Sequence, residues 1–380
     1  MILFKNAKYL DDDFRIRTGD IHVTTDRIDF CGAHRAPLPE DTIVDCQNYT
    51  LIPGMIDIHI HGCNGANICD GNRTAVDTMA VYLIQHGITS FCPTTVTTDI
   101  DTIQQALLAA KECVDLPMEK GASVLGVNLE GPFLAPGKIG AQKPETIQLP
   151  DFEQFHRLFA LCGGIIKLVS VAPEQPGGLE FVKAASRCCT VSIAHTCAGY
   201  REAKDSFDCG VTHATHLFNA MSGLHHREPG VVGAVFDDPR VRAELICDGH
   251  HIHPAVLRIA FQLLGNRAVI VSDAMRAAGL PEGDGYEQGG QIVQVHDGKA
   301  TLQDGTLAGS VTNLHSELKN LIAFGIPFEQ AVKAATLTPA QAVGMSKELG
   351  SIQSGKRADL VLLDQTLEIA SVYHNGRKVV

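Results

Sequence analysis

Histidines and carboxylates stand at the ends of apolar segments along much of this chain. The segment LIPGMIDIHIHG at 51–62 ends in two histidines, and later segments end in LEGP, AHT, THL and SDAM. Imidazole nitrogens and carboxylate oxygens are ligands that zinc and other first-row divalent ions accept. Such ligands leave a coordination position for water, which suits metal-assisted hydrolysis.

The spacing of these residues predicts how they are grouped. Successive side chains of a strand point to opposite sides, so His59 and His61 project to the same side and form a ligand pair. A single histidine in such a fold is more often a hydrogen-bonded core residue. Here, however, six equivalent strand ends carry such groups, which favours a metal site over a set of core residues. The residues are His59 and His61, Glu130, His195, His216, Asp248 and Asp273. Asp273 is the candidate for moving a proton from water to a leaving group.

The elements that position these residues are predicted by an alternation of buried apolar strands and helical segments. Eight such strands begin with 51–62 and end with RAVIVSDAM at 267–275. This pattern predicts an α/β fold, a metal-dependent (β/α)8 TIM barrel, in which functional groups lie at the carboxyl ends of the strands. The predicted helices cover 73–86, 101–114, 151–162, 178–187, 199–207, 254–264, 311–324 and 327–345.

Short β segments at both ends of the chain predict a second, smaller domain. Neither end alone has enough strands to bury a face, so we expect the two to combine into one discontinuous β-sandwich domain. The predicted boundaries are 1–52 for its first half, 53–345 for the barrel and 346–380 for its second half. The stretch 277–306 is Gly-rich and interrupts the alternation after the eighth strand.

Charge and hydropathy exclude several classes of partner. The chain has 31 Lys plus Arg against 43 Asp plus Glu, a formal net charge of -12. Because non-specific nucleic-acid binding needs a basic surface, a nucleic-acid partner is not expected. No segment reaches the roughly 18 apolar residues of a membrane span, so no membrane partner is expected. A cytoplasmic location is the default expectation.

Several longer motifs resemble one enzyme family. They are HIHG at 59–62, LEGPF at 129–133, AHT around 195, THLFNAM at 215–221, HHREPG at 225–230, DGHHIHP at 248–254, SDAM at 272–275 and LAGS at 307–310. Together they are similar to the N-acetylglucosamine-6-phosphate deacetylase family of the amidohydrolase superfamily. The resemblance extends from about residue 50 to GKRADLVLLD near the carboxyl terminus.

The resemblance implies an amide hydrolase and assigns its metal ligands. Glu130, His195 and His216 would hold the main divalent ion, most readily Zn²⁺, although Fe²⁺, Co²⁺ and Mn²⁺ suit the same ligands. His59 and His61 would hold a second ion that shares Glu130, so one or two ions per chain are expected. Asp273 would activate water and then protonate the departing sugar amine.

The resemblance also implies how a phosphorylated amino sugar is bound. Asn219 and the Ala220 backbone would hold phosphate and sugar, Arg227 and His251 would contact phosphate or ring hydroxyls, and the loop Leu307, Ala308, Gly309 would close over the sugar. Ala141 and Gln142 would contact the substrate as well. Some relatives carry a histidine at the position of Gln142 that polarises the acetyl carbonyl, and the amide N–H of Gln142 is a weaker donor to that oxygen.

Family members typically lend Arg227 to the neighbouring subunit, so a homodimer is expected. The remaining histidines between 195 and 253 are expected to form hydrogen bonds and not to bind metal. N-acetylgalactosamine 6-phosphate stays open as the substrate, because the two sugars differ at one hydroxyl. A cyclic amidase or nucleobase deaminase is a further alternative, as is a non-enzymatic barrel, although the first would not need Arg227 and the second would not need to keep the ligands.

Overall fold

The computed structural model describes all 380 residues, and the middle of the chain alternates strands and helices. The strands are β1 Ile2–Leu10, β2 Ile16–Thr24, β3 Arg27–Gly32, β4 Thr42–Asp45, β5 Thr50–Pro53, β6 Met55–Ile60, β7 Gly62–Cys63, β8 Ala66–Asn67, β9 Ile88–Pro93, β10 Ser123–Val124, β11 Val127–Leu129, β12 Ile166–Val171, β13 Thr190–Ile193, β14 Val211–Ala214, β15 Arg242–Leu245, β16 Ala268–Ile270, β17 Gly283–Gln288, β18 Gln291–His296, β19 Lys299–Thr301, β20 Leu360–Leu363, β21 Ile369–His374 and β22 Arg377–Lys378.

Ten α-helices connect or follow these strands. They are α1 Arg73–Gln85, α2 Ile100–Asp115, α3 Phe152–Leu161, α4 Gly178–Ala185, α5 Tyr200–Cys209, α6 Gly230–Asp237, α7 Pro254–Leu264, α8 Leu314–Ala323, α9 Phe328–Ala335 and α10 Leu337–Ala342. At the N-termini of several helices, a side chain accepts a backbone N–H that has no partner within the helix. Asn72 accepts the N–H of Ala75 at 3.0 Å before α1, and Asp99 accepts that of Thr102 at 2.8 Å before α2. The longest helix, α2, has 16 residues, and none is both long and apolar enough to span a bilayer.

The central strands form a curled parallel sheet. Strands β6, β9 and β10 pair in one run, and β11 to β16 pair in chain order in another. The runs meet at both borders, because Thr95 donates its N–H to Asn128 C=O at 3.1 Å and Asp273 donates to His59 C=O at 2.9 Å. The first and last parallel strands therefore lie side by side, and their carboxyl ends share one end of the molecule.

Strands from both chain ends join in a second sheet. Its order is β22-β21-β20-β5-β1-β2-β3, with β4 beside β1, and β20 pairs antiparallel with β5. The sequence predicted a sandwich, whereas hydrogen bonds connect these eight strands into one sheet. Alternate residues of β20 pack into two different hydrophobic cores. Leu360 and Leu362 belong to a small cluster of the second sheet, and Val361 and Leu363 belong to the large core of the parallel sheet and its helices.

Two helical segments differ from the prediction. The predicted helix 327–345 is two helices, because Thr336 leaves the helical conformation with φ -132° and ψ -75°. Helix α6 was not predicted, since GVVGAVFD has the Gly and Val content of a strand or turn; burial of most of its residues outweighs that local preference.

The Gly-rich stretch after the eighth strand is also more ordered than its composition suggested. Strands β17, β18 and β19 form a three-stranded antiparallel sheet there. Hydrogen bonds dock this small sheet beside the parallel strands: Asn67 donates to Gln288 Oε1 at 3.0 Å and Arg276 donates to Glu287 C=O at 3.0 Å. This places the small sheet over the carboxyl ends of the parallel strands.

Candidate active site

A cavity of about 420 Å³ opens at the carboxyl ends of the parallel strands. It collects thirteen of the fifteen residues predicted for the site: His61, Glu130, Ala141, Gln142, His195, His216, Asn219, Ala220, His251, Asp273, Leu307, Ala308 and Gly309. His59 is fully buried in the cavity wall, and Arg227 lies outside, exposed to solvent. Residues that are up to 248 positions apart in the chain thus meet in one place.

Glu130, His195 and His216 form the first group with the chemistry of a metal site. Glu130 Oε1 lies 3.2 Å from His195 Nε2 and 3.1 Å from His216 Nε2, and the two ring nitrogens are 3.1 Å apart. His195 Nδ1 faces the C=O of Lys138 at 2.9 Å, so Nδ1 carries a proton and Nε2, which faces Glu130, is the nitrogen left for a cation. Two such nitrogens against one carboxylate fit a divalent cation.

A second group of three shares Glu130 with the first. His61 Nε2 lies 3.3 Å from Glu130 Oε2, and His59 Nε2 lies 3.7 Å from Glu130 Oε1. His61 Nδ1 faces Thr94 C=O at 3.0 Å, which again turns Nε2 towards the carboxylate. His59 Nε2 is buried with no hydrogen-bond partner in the protein, and such an orphaned ligand atom fits a site that binds a cation.

Asp273 lies beside both groups at the end of the last parallel strand. Its Oδ1 is 3.1 Å from His61 Nε2 and 3.5 Å from His59 Nε2. The backbone of Asp273 is held on two sides, because its N–H donates to His59 C=O and its C=O accepts the N–H of Ser310 at 2.8 Å. Burial disfavours its charge, but the neighbouring imidazoles, His59 first, keep the pKa of Asp273 below its ordinary value.

The backbone turns sharply where these side chains enter the cavity. His195, His216, Ala220 and Asp273 have φ angles of 42°, 27°, 52° and 46°. Residues other than glycine seldom adopt this left-handed region, and each such residue costs on the order of 1 kcal/mol or more. The surrounding structure maintains these turns, which aim the ligands and Asp273 at one point.

Buried charge at the site is balanced by the histidines. Burial would raise the pKa of Glu130, but His59, His195 and His216 hold that pKa well below its ordinary value. Deeper in the wall, burial raises the pKa of Asp57 to about 7, although Ser272 donates its hydroxyl to this carboxyl. Glu130 is thus held as the anion that a cation site requires.

Gln142 contacts Glu130 directly. Thr97 fixes the amide by donating its N–H and its hydroxyl to Gln142 Oε1, both at 2.8 Å. Gln142 Nε2 then donates to Glu130 Oε2 at 3.0 Å, and its second N–H has no partner in the protein. One N–H of Gln142 therefore orients the Glu130 carboxylate, which both ligand groups share. Only the other N–H remains for the predicted contact with a substrate oxygen.

The cavity wall towards helix α7 is polar but has no side chain with a permanent positive charge. His251 Nδ1 pairs with Asp248 Oδ2 at 2.7 Å, and the pKa of His251 is raised by this carboxylate against the effect of burial. Asn219 donates its side-chain N–H to His216 C=O at 3.2 Å. No Lys or Arg lines the cavity. Arg227 donates instead to His226 Nε2 at 2.8 Å on an exposed loop.

Sequence patterns of the amidohydrolase family match residues 50–379 of this chain. The chain is 35% identical over 374 residues to the N-acetylglucosamine-6-phosphate deacetylase of Bacillus subtilis strain 168, covering 97% of this chain and 94% of that protein. It is 36% identical over 330 residues to the N-acetylgalactosamine-6-phosphate deacetylase of Escherichia coli O157:H7, covering 86% and 87%. The chain belongs to the amidohydrolase family.

Solved structures place this amidohydrolase among the same enzymes. The crystal structure of N-acetylglucosamine-6-phosphate deacetylase from Pasteurella multocida superposes with a TM-score of 0.93 at 28% identity, covering 99% of both chains. A mutant of the Mycobacterium smegmatis deacetylase in complex with N-acetyl-D-glucosamine-6-phosphate gives a TM-score of 0.92 at 30% identity, covering 100% of this chain and 99% of that one.

The sequence analysis of this amidohydrolase missed several residues at the site. Gln288 and Gly289 from the small sheet and Thr306 from the following loop line the cavity, and no local pattern connected them with it. Glu244 lies behind the ligands, with Oε2 at 2.8 Å from His59 Nδ1. Its signal was available, because Glu244 is a charged residue directly before the apolar residues 245–247 of a predicted buried strand.

Proposed function

We propose that the protein hydrolyses the acetamide of N-acetylglucosamine 6-phosphate to glucosamine 6-phosphate and acetate. One observation carries this proposal: relatives that match nearly the whole chain are hexosamine-6-phosphate deacetylases. The cavity supports it with two groups of metal-type ligands that share Glu130 beside the carboxylate of Asp273. The activity is that of a hydrolase acting on a linear amide.

The metal ligands in this proposal are side chains that the fold already turns towards one another. Glu130, His195 and His216 would hold the main ion, and His59 and His61 would complete a second site with Glu130. A divalent ion bound there would lower the pKa of water and polarise the acetyl carbonyl. Zinc is the ion that we propose, because imidazole and carboxylate ligands in small numbers suit it.

Asp273 moves the proton in the proposed reaction. Its Oδ1 accepts a proton from the attacking water as the new C–O bond forms. The same oxygen then delivers that proton to the amine nitrogen as the C–N bond breaks, so acetic acid and the free amine are formed. The acid then gives its remaining proton to the amine or to solvent and leaves as acetate. Hydrogen bonds on both sides of its backbone hold Asp273 in place for both steps.

Apart from His251, the cavity of a single chain has no basic side chain placed to bind the substrate phosphate away from the metal-ligand groups. No Lys or Arg lines the cavity, and the guanidinium of the exposed Arg227 donates only to His226. A phosphate monoester is bound best by charge-assisted N–H donors. We propose a homodimer in which Arg227 of each chain reaches the other chain's cavity, where Asn219, Ala220 and His251 also contact the sugar phosphate and the 307–309 loop covers the ring.

N-acetylgalactosamine 6-phosphate is the second candidate substrate. The 36% identity to the Escherichia coli O157:H7 enzyme supports it as directly as the other relatives support the gluco sugar. The two substrates differ at one hydroxyl, so the same metal groups, Asp273 and phosphate contacts serve both.

The remaining parts of the proposal concern architecture and location. We propose that the curled parallel sheet is a (β/α)8 barrel over 53–345, inserted between the halves 1–52 and 346–380 of the small domain. The joint sheet of β5 and β20 supports this division. We also propose a cytoplasmic location, because all twelve cysteines have free thiols, as is usual in a reducing compartment.

Acetate release from both hexosamine 6-phosphates, together with the metal content of the purified protein, tests the proposal. We expect turnover of the gluco substrate, inhibition by a chelator and recovery with zinc. A preference for the galacto substrate would select the second candidate. No acetate from either sugar by metal-loaded protein would contradict both.

A further inference from the structure

Strand β15 carries a buried carboxylate that contacts both ligand groups. Glu244 Oε2 lies 2.8 Å from His59 Nδ1 and accepts the backbone N–H of His216 at 3.1 Å. Its Oε1 lies 3.0 Å from His213 Nε2. The residue is 0% exposed, so these three contacts replace the water that an isolated carboxylate would require.

This contact determines which nitrogen of His59 is free. An ionised carboxylate only accepts hydrogen bonds, so the His59 proton lies on Nδ1. Nε2 is then the nitrogen left for a cation, and it faces Glu130 Oε1 at 3.7 Å and Asp273 Oδ1 at 3.5 Å. Nε2 has no hydrogen-bond partner in the protein, as expected for a nitrogen prepared for a cation.

The same carboxylate also restrains the main ligand group. His216 has a φ of 27°, a conformation that residues other than glycine seldom adopt. The hydrogen bond from its N–H to Glu244 stabilises this turn, which aims His216 Nε2 at Glu130. Glu244 therefore connects the two groups by a path separate from the shared ligand Glu130.

We propose that Glu244 is a positioning residue that presents His59 to a second divalent cation, held together with His61 and Glu130. A carboxylate that accepts the far N–H of a ligand histidine fixes its ring and raises its basicity. The proposal rests on the metal-dependent function proposed above. A merely structural Glu244 would affect folding stability and leave cation binding unchanged.

Zinc titration of the metal-stripped full chain, followed by competition with a chelator, tests the proposal. We expect two ions per wild-type chain and loss of the weaker one in His59→Gln. In Glu244→Gln, the amide oxygen can still accept from both His59 and His216, but the negative charge that raises the basicity of His59 is lost. The same ion should therefore bind about 10–100-fold more weakly, with little change at the main site. Glu317→Gln is the matched control, because Glu317 is also 0% exposed but contacts no ligand histidine.

Equal zinc affinity in Glu244→Gln and wild type, or one ion only in wild type, would overturn the proposal. Should Glu244→Gln fail to fold, long-range ¹H–¹⁵N NMR of the zinc-loaded wild type decides. The His59 signal, assigned by its loss in His59→Gln, should show a proton on Nδ1, and an unprotonated Nδ1 would overturn the proposal. Neither experiment measures acetate release, so failure of the proposed deacetylation is detected separately.

Discussion

The ligand groups and the loop that carries Arg227 have opposite environments, although the last ligand, His216, is close to this loop in the sequence. Glu130 and His216 are almost fully buried, and each is held by several hydrogen bonds from other elements. Arg227, only eleven residues after His216, is exposed and contacts a neighbouring exposed histidine. The ligand groups are complete within one chain, whereas the cation that a phosphate requires is present but turned outwards.

In the proposed homodimer, this difference separates the part of the site that would depend on association from the part that would not. Interactions inside the cavity are fixed by strand ends and buried partners, so they should survive changes in oligomeric state. A contact made by an exposed loop contributes to substrate binding only when a second surface covers the loop.

Removal of a ligand from the main group should have the largest effect. We expect His216→Ala to lose the main ion and with it all measurable acetate release, because two of the three side chains cannot hold it tightly. Elemental analysis and an activity assay measure both losses, and circular dichroism checks the fold. Metal and activity near the wild-type values would show that His216 is not a ligand.

Replacement of the proton carrier should separate binding from chemistry. Asp273→Asn keeps the shape of the side chain but cannot accept a proton, so kcat should fall by about 10²–10⁴-fold or more. Zinc content and KM should change little. A loss seen only in KM, with kcat intact, would contradict the acid and base role of Asp273.

Removal of the loop cation should weaken substrate binding. Arg227→Ala should raise KM for the 6-phosphate by about 10–100-fold, because a hydrogen bond to a charged group contributes about 1.5–3 kcal/mol. Activity on the unphosphorylated sugar should stay unchanged. Arg201→Ala, which removes an exposed arginine of helix α5, is the control and should leave KM as it is.

Mixed dimers distinguish a shared site from a self-contained one. In a hybrid of Arg227→Ala and Asp273→Asn chains, one cavity combines an intact Asp273 with Arg227 of the other chain. At substrate concentrations well below the KM of Arg227→Ala, both parent dimers have little activity. Random exchange of subunits should then restore about a quarter of the wild-type activity, since half of the dimers are hybrids with one intact site. No recovery after proven exchange would show that Arg227 serves its own chain.

The smallest effect is expected at an ion pair network that follows helix α6. Asp238, directly after helix α6, binds Lys204 at 2.8 Å and Arg240 at 2.7 Å, and these charges keep its pKa below the ordinary value. Asp238→Asn should lower the free energy of unfolding by about 2 kcal/mol at pH 7.

The sign of the pH dependence follows from the lowered pKa of Asp238. Its stabilisation is present above the unfolded-state value, near pH 4, and is lost as the pH falls towards the lower folded-state value. The difference between variant and wild type in denaturant unfolding should therefore persist from pH 7 to about pH 5 and shrink below pH 4. Asp208→Asn, whose exposed side chain contacts only Arg240, should cost less than about 0.5 kcal/mol. A constant difference at all pH values would mean that charge is not the cause.

The sequence by itself determined the elements and the types of ligand. Apolar runs identified the parallel strands, because burial on both faces requires them, and alternation along β6 predicted that His59 and His61 lie together. Their ring centroids are 5.2 Å apart. Helix α6 and the sheet β17–β19 escaped prediction, because packing against the rest of the chain, and not local preference, stabilises them.

Only the tertiary structure decided which side chains share a proton or a charge. Glu130 and Gln142, Glu244 and His59, and Asn67 and Gln288 are joined by hydrogen bonds across 12, 185 and 221 positions of the chain. No periodic pattern in the sequence predicts such pairs. They exist because curling of the sheet brings the carboxyl ends of all its strands to one point, where buried polar groups can be satisfied only by one another.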